Sequence, residues 1–93
     1  MAMPKYAAKK DDNHREIVAA LRGVGASVIE LGKPVDLLVG YRGVTYPTEV
    51  KNRTGKNKDT PTQLKFYAEW RGNWLKVWTV EDALRGIGAI NGN

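Results

Sequence analysis

Two β-rich runs separated by a short glycine-containing segment constrain this chain more than any other feature of its sequence. Residues 35–39 read VDLLV, residues 44–51 read VTYPTEVK, and the four residues between them, 40–43, read GYRG. Two such runs joined by a short turn of this kind are typical of an antiparallel β-hairpin. The sequence therefore predicts a pair of adjacent strands in the middle of the chain.

Three charged side chains interrupt the apolar pattern of this predicted hairpin. Glu49 and Lys51 are two residues apart, so on a strand they share one face, while Val50 points to the other. Asp36 would lie on the neighbouring strand, near the same end. An isolated buried carboxylate costs on the order of several kcal/mol unless it is paired or binds a metal. The alternatives are a turn aspartate at a frayed strand start and a solvent-facing Glu49–Lys51 pair that adds little stability.

Two carboxylates and an ammonium group on adjacent strands are suited to phosphodiester hydrolysis with a divalent cation. Asp36 and Glu49 would ligate Mg²⁺ or Mn²⁺, and the backbone carbonyl of Val50 is a third candidate ligand, because hard cations prefer oxygen. Lys51 would orient the attacking water and stabilise the charge that develops on the phosphate. The pattern thus favours a metal-dependent phosphodiesterase.

The remaining segments predict an α/β fold with the order α-β-β-β-α-β and a short last helix. The predicted elements are a helix from residue 12 or 13 to about 22, strands over 27–31, 35–39 and 44–51, a helix over 61–71, and a strand over 74–79. A helix between the third and fourth strands makes those strands parallel, so the sheet is mixed and four-stranded, with helices flanking it. Pro47 lacks the N–H that a central strand needs, so we expect a bulge or bend there.

Two polar residues have both a structural and a functional interpretation. Asn13 and Glu16 have the spacing of an N-terminal capping box, and so do Thr60 and Gln63, with Pro61 at the first helical position. Each of these side chains could therefore serve only to cap its helix. The sequence leaves the alternative open that Glu16 and Gln63 also belong to the site.

Several short motifs together resemble the virus-type replication-repair nuclease (VRR-NUC) family of the PD-(D/E)xK nuclease superfamily. Residues 34–36 (PVD) and 49–51 (EVK) match the two half-motifs, except that Val35 is inserted between the expected proline and aspartate. A leading-helix Glu16, the TPTQ of 60–63 and the WTVEDAL of 78–84 extend the similarity. The resemblance runs from about residue 13 to residue 84.

This resemblance implies a restriction-endonuclease-like core and a catalytic set of Asp36, Glu49, Lys51, Gln63 and Glu16. Glu16 would bind the same ion through water, or a second ion, and Gln63 would border the catalytic centre. Small stand-alone members of phage or bacterial type resemble Holliday-junction resolvases and form homodimers. The implied function is a structure-selective DNA endonuclease. The alternative is a non-catalytic DNA-binding module of the same fold.

The charge balance agrees with a nucleic-acid partner. The 93 residues carry 15 Lys and Arg against 10 Asp and Glu, for a net charge of +5, and the pI is near 9.6, which favours binding to nucleic acid. The candidate phosphate contacts are Lys33, Arg53, Lys56 and Lys58. The chain has no cysteine, so disulfides and cysteine-based zinc sites are excluded.

The length allows a single nuclease domain over residues 1–93, with a flexible basic arm at 1–10 and a flexible tail at 88–93. No apolar run approaches the ~18 residues of a membrane span. The N-terminal segment has no apolar stretch of the kind found in secretory signals. We therefore expect a cytoplasmic protein.

Overall fold

The fold is a four-stranded mixed sheet with helices on both faces. The computed structural model describes the backbone of residues 5–52 and 58–91, and side chains within those ranges from residue 13 onward. The elements are α1 (Lys5–Gly23), β1 (Ser27–Glu30), β2 (Leu37–Tyr41), β3 (Val44–Val50), α2 (Pro61–Glu69), β4 (Leu75–Val77) and α3 (Val80–Gly86). The sheet order is β1-β2-β3-β4, antiparallel except for the parallel pair β3–β4. The predicted architecture is confirmed.

The hairpin between β2 and β3 closes with a two-residue turn. Tyr41 pairs with Val44, which leaves Arg42 and Gly43 as the loop, with φ angles of 51° and 80°. Positive φ at both positions is the geometry of a type I′ turn, whose twist matches that of the flanking strands. The connection is therefore shorter than the predicted 40–43 segment, and β2 begins one residue after Asp36 instead of containing it.

One face of the sheet holds the hydrophobic core. Val28, Leu37, Val39 and Val77 point toward α1 and α3 and are 9% exposed or less. The helices contribute buried Ile17, Val18, Leu21 and Ala83, and Ile87 at the C-terminal cap of α3 is also buried. Burial of each large aliphatic side chain contributes about 1.5–3 kcal/mol. The opposite face carries α2, which has no buried residue. Among the described residues, no helix is both long and apolar enough to cross a membrane.

The first helix starts earlier than predicted. α1 begins at Lys5, so residues 5–10 of the predicted flexible arm are helical, while residues 1–4 lie outside the described part of the chain. Asn13 is therefore in the helix interior, and the predicted capping box with Glu16 is wrong. The Asn13 amide instead donates to the Lys51 carbonyl at 2.8 Å and to the Trp78 carbonyl at 3.4 Å. The Asn13 side chain, which the sequence spacing assigned to a helix cap, thus hydrogen-bonds to carbonyls of distant segments instead.

The end of the chain is tied to α3 as far as the structure describes it. The amide of Gly88 donates to the Arg85 carbonyl at 3.1 Å, and that of Ala89 to the Leu84 carbonyl at 2.8 Å. Gly88 has a φ of 80°, the left-handed conformation common at helix ends. The predicted flexible tail thus begins with residues that cap α3, and residues 92–93 lie outside the described part.

Pro47 causes no bulge, contrary to the prediction. It pairs with Leu38 in a register that continues without interruption on either side. The Lys51 amide donates to β4 at the Val77 carbonyl, so odd-numbered residues of β3 turn their nitrogens toward β4. The pairing with β4 starts only at Thr48. The missing N–H of Pro47 therefore faces a position where β4 has not begun, and no hydrogen bond is lost.

Candidate active site

The hairpin charges lie in a cleft of about 650 Å³ at the end of β3 that faces the start of α2. Its lining includes five of the six residues predicted for catalysis or metal binding, namely Asp36, Glu49, Val50, Lys51 and Gln63. Glu49 and Val50 lie in β3, Asp36 directly precedes β2, Lys51 directly follows β3, and α2 supplies the glutamine. The structure therefore brings together side chains from three separate segments of the sequence.

Asp36 is held at the start of β2 by two hydrogen bonds with β3. Its Oδ2 accepts from the Val50 amide at 2.8 Å, and its own amide donates to Glu49 Oε1 at 3.2 Å. The Val50 amide faces the β2 side of the sheet, but strand pairing there ends at Leu37 and Thr48. The Asp36 carboxylate takes the place of the missing backbone acceptor, which fixes it beside Glu49.

Glu49 is a buried carboxylate, only 5% exposed. Its Oε2 accepts a short hydrogen bond from Gln63 Nε2. Burial, and then the neighbouring negative charge of Asp36, raise the pKa of Glu49 above its ordinary value, although the Lys51 ammonium opposes them. Two carboxylates that repel each other in a partly desolvated cleft form a site that a cation would stabilise.

Lys51 is equally buried, at 5% exposed, and its ammonium group is surrounded by oxygen atoms. The distances from Nζ are 3.0 Å to Asp59 Oδ1, 3.4 Å to Gln63 Oε1 and 3.5 Å to Glu49 Oε2. A buried ammonium is tolerated when it is paired and hydrogen-bonded in this way. The charged head therefore lies inside the cleft and not in bulk solvent.

Gln63 both caps α2 and contacts the carboxylate site. The predicted capping box is present, since the Gln63 amide donates to Thr60 Oγ1 at 3.2 Å and the Thr60 amide donates to Gln63 Oε1 at 3.0 Å. Because its oxygen is used by the cap, its Nε2 is directed at Glu49. The helix start thus fixes the orientation of the side-chain amide.

The other predicted site residues are more dispersed. Glu16 is exposed and lines an adjoining cleft of about 490 Å³, together with Trp78 and Glu81. Lys58 is exposed at the rim of the main cleft, whereas Lys33 is exposed but is not part of its lining. The remaining two predicted phosphate contacts, at positions 53 and 56, lie outside the described residues.

The structure adds residues to this cleft that the sequence analysis did not select. His14, Arg15 and Glu30 line it, and His14 Nε2 lies 2.8 Å from Glu30 Oε1. Asp59 contacts Lys51 directly. The one available signal for Asp59 was its position as a lone carboxylate at the end of a basic loop. No spacing in the sequence indicated that His14 of α1 would contact Glu30 at the end of β1.

The donor atoms of the site fit a hard divalent cation. Asp36 and Glu49 offer carboxylate oxygens, and Val50, whose carbonyl is the third candidate ligand, follows Glu49 in the chain and donates its amide to Asp36. Within residues 13–52 and 58–91, no group of three or more His, Asp or Glu side chains forms a metal site. Mg²⁺ is commonly held by one or two carboxylates and completes its coordination with waters and substrate phosphates. Two converging carboxylates are therefore sufficient for such an ion.

Comparison with known proteins agrees with this architecture. No known family profile matches the sequence, and no curated protein does so. A solved structure described as "VRR_NUC domain" is similar to this chain, with 26% identity and a TM-score of 0.63 over 81% of this chain and 89% of that one. The fold is therefore that of a nuclease family. More specifically, the chain has a VRR-NUC-like fold, as the sequence motifs predicted.

Proposed function

We propose that this protein is a metal-dependent DNA endonuclease that hydrolyses phosphodiester bonds and selects branched DNA structures in the manner of a Holliday-junction resolvase. The observation that carries the proposal is the convergence of Asp36, Glu49 and the buried Lys51 ammonium in one open cleft. The similarity to a VRR_NUC domain supports the same reading. The overall positive charge favours a nucleic-acid substrate.

In this proposal Asp36, Glu49 and the Val50 carbonyl hold Mg²⁺ or Mn²⁺. The ion, when bound, supplies Lewis acidity to the phosphate and lowers the pKa of a water. The Lys51 ammonium orients the attacking water and offsets the charge that develops on the phosphate oxygens. Gln63 keeps the Glu49 carboxylate in position through its Nε2 donor.

Glu16 has a less direct role in this proposal, because it lies in the adjoining cleft. From there it contributes through a water molecule or a second ion. Lys58 contacts phosphates at the rim of the main cleft, and Lys33, Arg53 and Lys56 extend these contacts along the DNA. Such contacts position the substrate without reading its sequence.

The test is cleavage of labelled four-way junction, flap and linear duplex DNA with Mg²⁺ or Mn²⁺. Asp36→Asn and Lys51→Ala should each lower the cleavage rate by about 100-fold or more, as loss of a group that stabilises the transition state does. Glu69→Gln and Lys65→Ala, which change exposed charges on α2, are the matched controls and should cleave like the wild type. DNA binding is measured in parallel by fluorescence anisotropy.

Each result of this experiment has a definite meaning. Metal-dependent cutting that is lost in both site variants supports the endonuclease, and the preferred DNA structure tests its selectivity. If wild type and variants bind DNA equally and none cuts, the protein is a non-catalytic DNA-binding module. Equal cutting of junction and linear duplex would refute the structural selectivity alone.

We also propose that the protein forms a homodimer through the β1–β2 part of the sheet face opposite the core. Val28 and Val39 pack in the core, so their neighbours Ile29 and Leu38, which pair across the strands, point to the other face. Ile29 is 58% exposed and nearby Leu31 is 43% exposed. Light scattering coupled to gel filtration should show a dimer that Ile29→Glu dissociates, while Val44→Glu at the hairpin turn does not. A wild-type monomer would refute the dimer and leave the nuclease proposal standing.

A further inference from the structure

Asp59 is an acidic residue with two lysine partners, immediately before the N-cap of α2. Its Oδ1 lies 3.0 Å from Lys51 Nζ, and its Oδ2 lies 3.0 Å from Lys76 Nζ. The Tyr67 hydroxyl donates to Oδ1 at 3.4 Å. The catalytic roles proposed above do not use this residue, although it makes the shortest charged contact to Lys51.

The Asp59 carboxylate is fixed from more than one side. Burial by itself raises the pKa of Asp59, but the hydrogen bonds from Lys76 and Lys51 outweigh it and hold the pKa below the ordinary value. Tyr67 is itself held in place, because its ring stacks on Trp74 with centroids 4.3 Å apart. Lys76 lies over the same ring, 4.8 Å from its centroid. Asp59 is therefore a fixed negative charge throughout the neutral pH range.

Two carboxylates thus compete for one ammonium group. Lys51 Nζ lies 3.0 Å from Asp59 and 3.5 Å from Glu49 Oε2. If Asp59 were neutral, the nearest remaining carboxylate would be Glu49, and the ammonium would move toward it because ion pairing strengthens at shorter distance. That shift would place the Lys51 ammonium against Glu49 Oε2, an oxygen that a divalent cation would need as a ligand.

We propose that Asp59 is a positioning residue that holds the Lys51 ammonium away from Glu49 and so keeps the Glu49 carboxylate available to a divalent cation. The inference rests on the proposed function, since it assigns Asp59 a task in the same site. It differs from a purely structural role because Asp59 would affect cation binding by fixing the position of the Lys51 ammonium. Removing the lysine should therefore remove most of the effect.

The test is a double-substitution cycle with Mn²⁺ binding as the readout, measured by calorimetry on the full chain without DNA. Asp59→Asn should weaken Mn²⁺ binding about tenfold, at the low end of what loss of an outer-shell partner costs. In a Lys51→Ala background, Asp59→Asn should weaken Mn²⁺ binding by only about twofold, because the only remaining effect is the loss of the Asp59 negative charge at some distance from the cation. Glu69→Gln, which removes an exposed carboxylate from α2, is the control and should bind Mn²⁺ like the wild type.

Two further measurements separate positioning from damage to the fold. Asp59→Glu keeps the charge and should recover most of the Mn²⁺ affinity, and Asp59→Ser supplies a second neutral variant if Asp59→Asn does not fold. In DNA cleavage, Asp59→Asn should be slow at low Mn²⁺ and should recover at saturating Mn²⁺, because the cation then displaces the ammonium from Glu49.

The outcomes distinguish this inference from the proposed function. If Asp59→Asn binds Mn²⁺ like the wild type, or loses the same factor with and without Lys51, the positioning role is overturned while wild-type cleavage still supports the nuclease. If the wild type neither binds Mn²⁺ nor cuts DNA, both proposals fail together. A loss of affinity that depends on Lys51 and is restored by Asp59→Glu supports the inference.

Discussion

Asp36→Asn should make the metal-free protein more stable. The asparagine can keep the hydrogen bond from the Val50 amide, now 2.8 Å long, through its carbonyl oxygen. Its amide nitrogen can donate to Glu49, where the wild type places a second negative charge. The substitution therefore removes a repulsion and retains the hydrogen bond that replaces a strand pairing.

The size of the effect follows from the electrostatics of the two carboxylates. At an effective dielectric constant of about 20, two unit charges a few ångströms apart repel by about 3–4 kcal/mol. Asp36 is only half-buried, so solvent screening should leave about 1–2 kcal/mol. For a domain of this size, that free energy raises the melting temperature by about 4–16 °C.

The pH dependence has a definite sign. The pKa of Glu49 is raised by burial and by Asp36, so the wild type loses stability as the pH rises from the ordinary value of 4.5 through the higher folded value. The advantage of Asp36→Asn should therefore be absent in acid and should grow toward neutral pH.

The assay is thermal unfolding by circular dichroism in EDTA and in millimolar Mg²⁺ across this pH range. Mg²⁺ should stabilise the wild type and not Asp36→Asn, because the variant lacks one of the two proposed carboxylate ligands. Asp82→Asn is the matched control, since backbone N–H groups stabilise the Asp82 negative charge and removal of that charge should destabilise. A variant less stable than wild type in EDTA near neutral pH, or equally stabilised by Mg²⁺, would refute the reasoning.

Three further predictions concern the stability of the fold. Asn13→Ala should lower the free energy of unfolding, measured in urea, by about 1–2 kcal/mol, because it leaves the Lys51 carbonyl without its α1 donor. Asn73→Ala removes only an exposed hydrogen bond of 3.3 Å and should lower that free energy less. Backbone N–H groups lower the pKa of Asp82 below 3.8, so the Asp82 carboxylate stabilises the fold above that pH, and this stabilisation is lost as acid protonates it in the folded protein. The acid-unfolding profile of Asp82→Asn should lack this component, and a profile identical to that of the wild type would contradict the prediction. Arg42→Asn should raise the melting temperature slightly, since asparagine tolerates the φ of 51° better than arginine. The Arg42 guanidinium lies over the Tyr41 ring, 4.9 Å from its centroid, and a lower melting temperature would show that this contact matters more.

Local sequence patterns were sufficient where the structure depends on neighbouring residues. The alternation in 44–51 placed Glu49 and Lys51 on one side of β3, because strand side chains alternate between faces. The T-P-x-Q spacing located the start of α2 at Thr60, because the capping box forms within four residues. The short glycine-containing turn predicted the antiparallel hairpin, and the hairpin placed Asp36 next to Glu49.

The same local reasoning failed where a distant segment supplied a competing partner. The Asn13–Glu16 spacing predicted a cap, but Asn13 donates to carbonyls at the ends of β3 and β4, so the helix continues through it. The bulge predicted at Pro47 did not form, since β4 is too short to need the missing N–H. Neither the length of β4 nor the reach of α1 is encoded by the residues next to these positions.

The sequence by itself determined the strand pairing, the helix start at Thr60 and the common face of Glu49 and Lys51, because each depends on contacts within a few residues or across one tight turn. Only the tertiary structure decided that Asp59 contacts Lys51 and that Glu16 lies in the adjoining cleft. These placements depend on where α1 and the start of α2 lie relative to the end of the sheet. An ion pair between a residue after a strand and a residue before a helix has no periodicity in the sequence, so the position of the Lys51 ammonium was predictable and its closest partner, Asp59, was not.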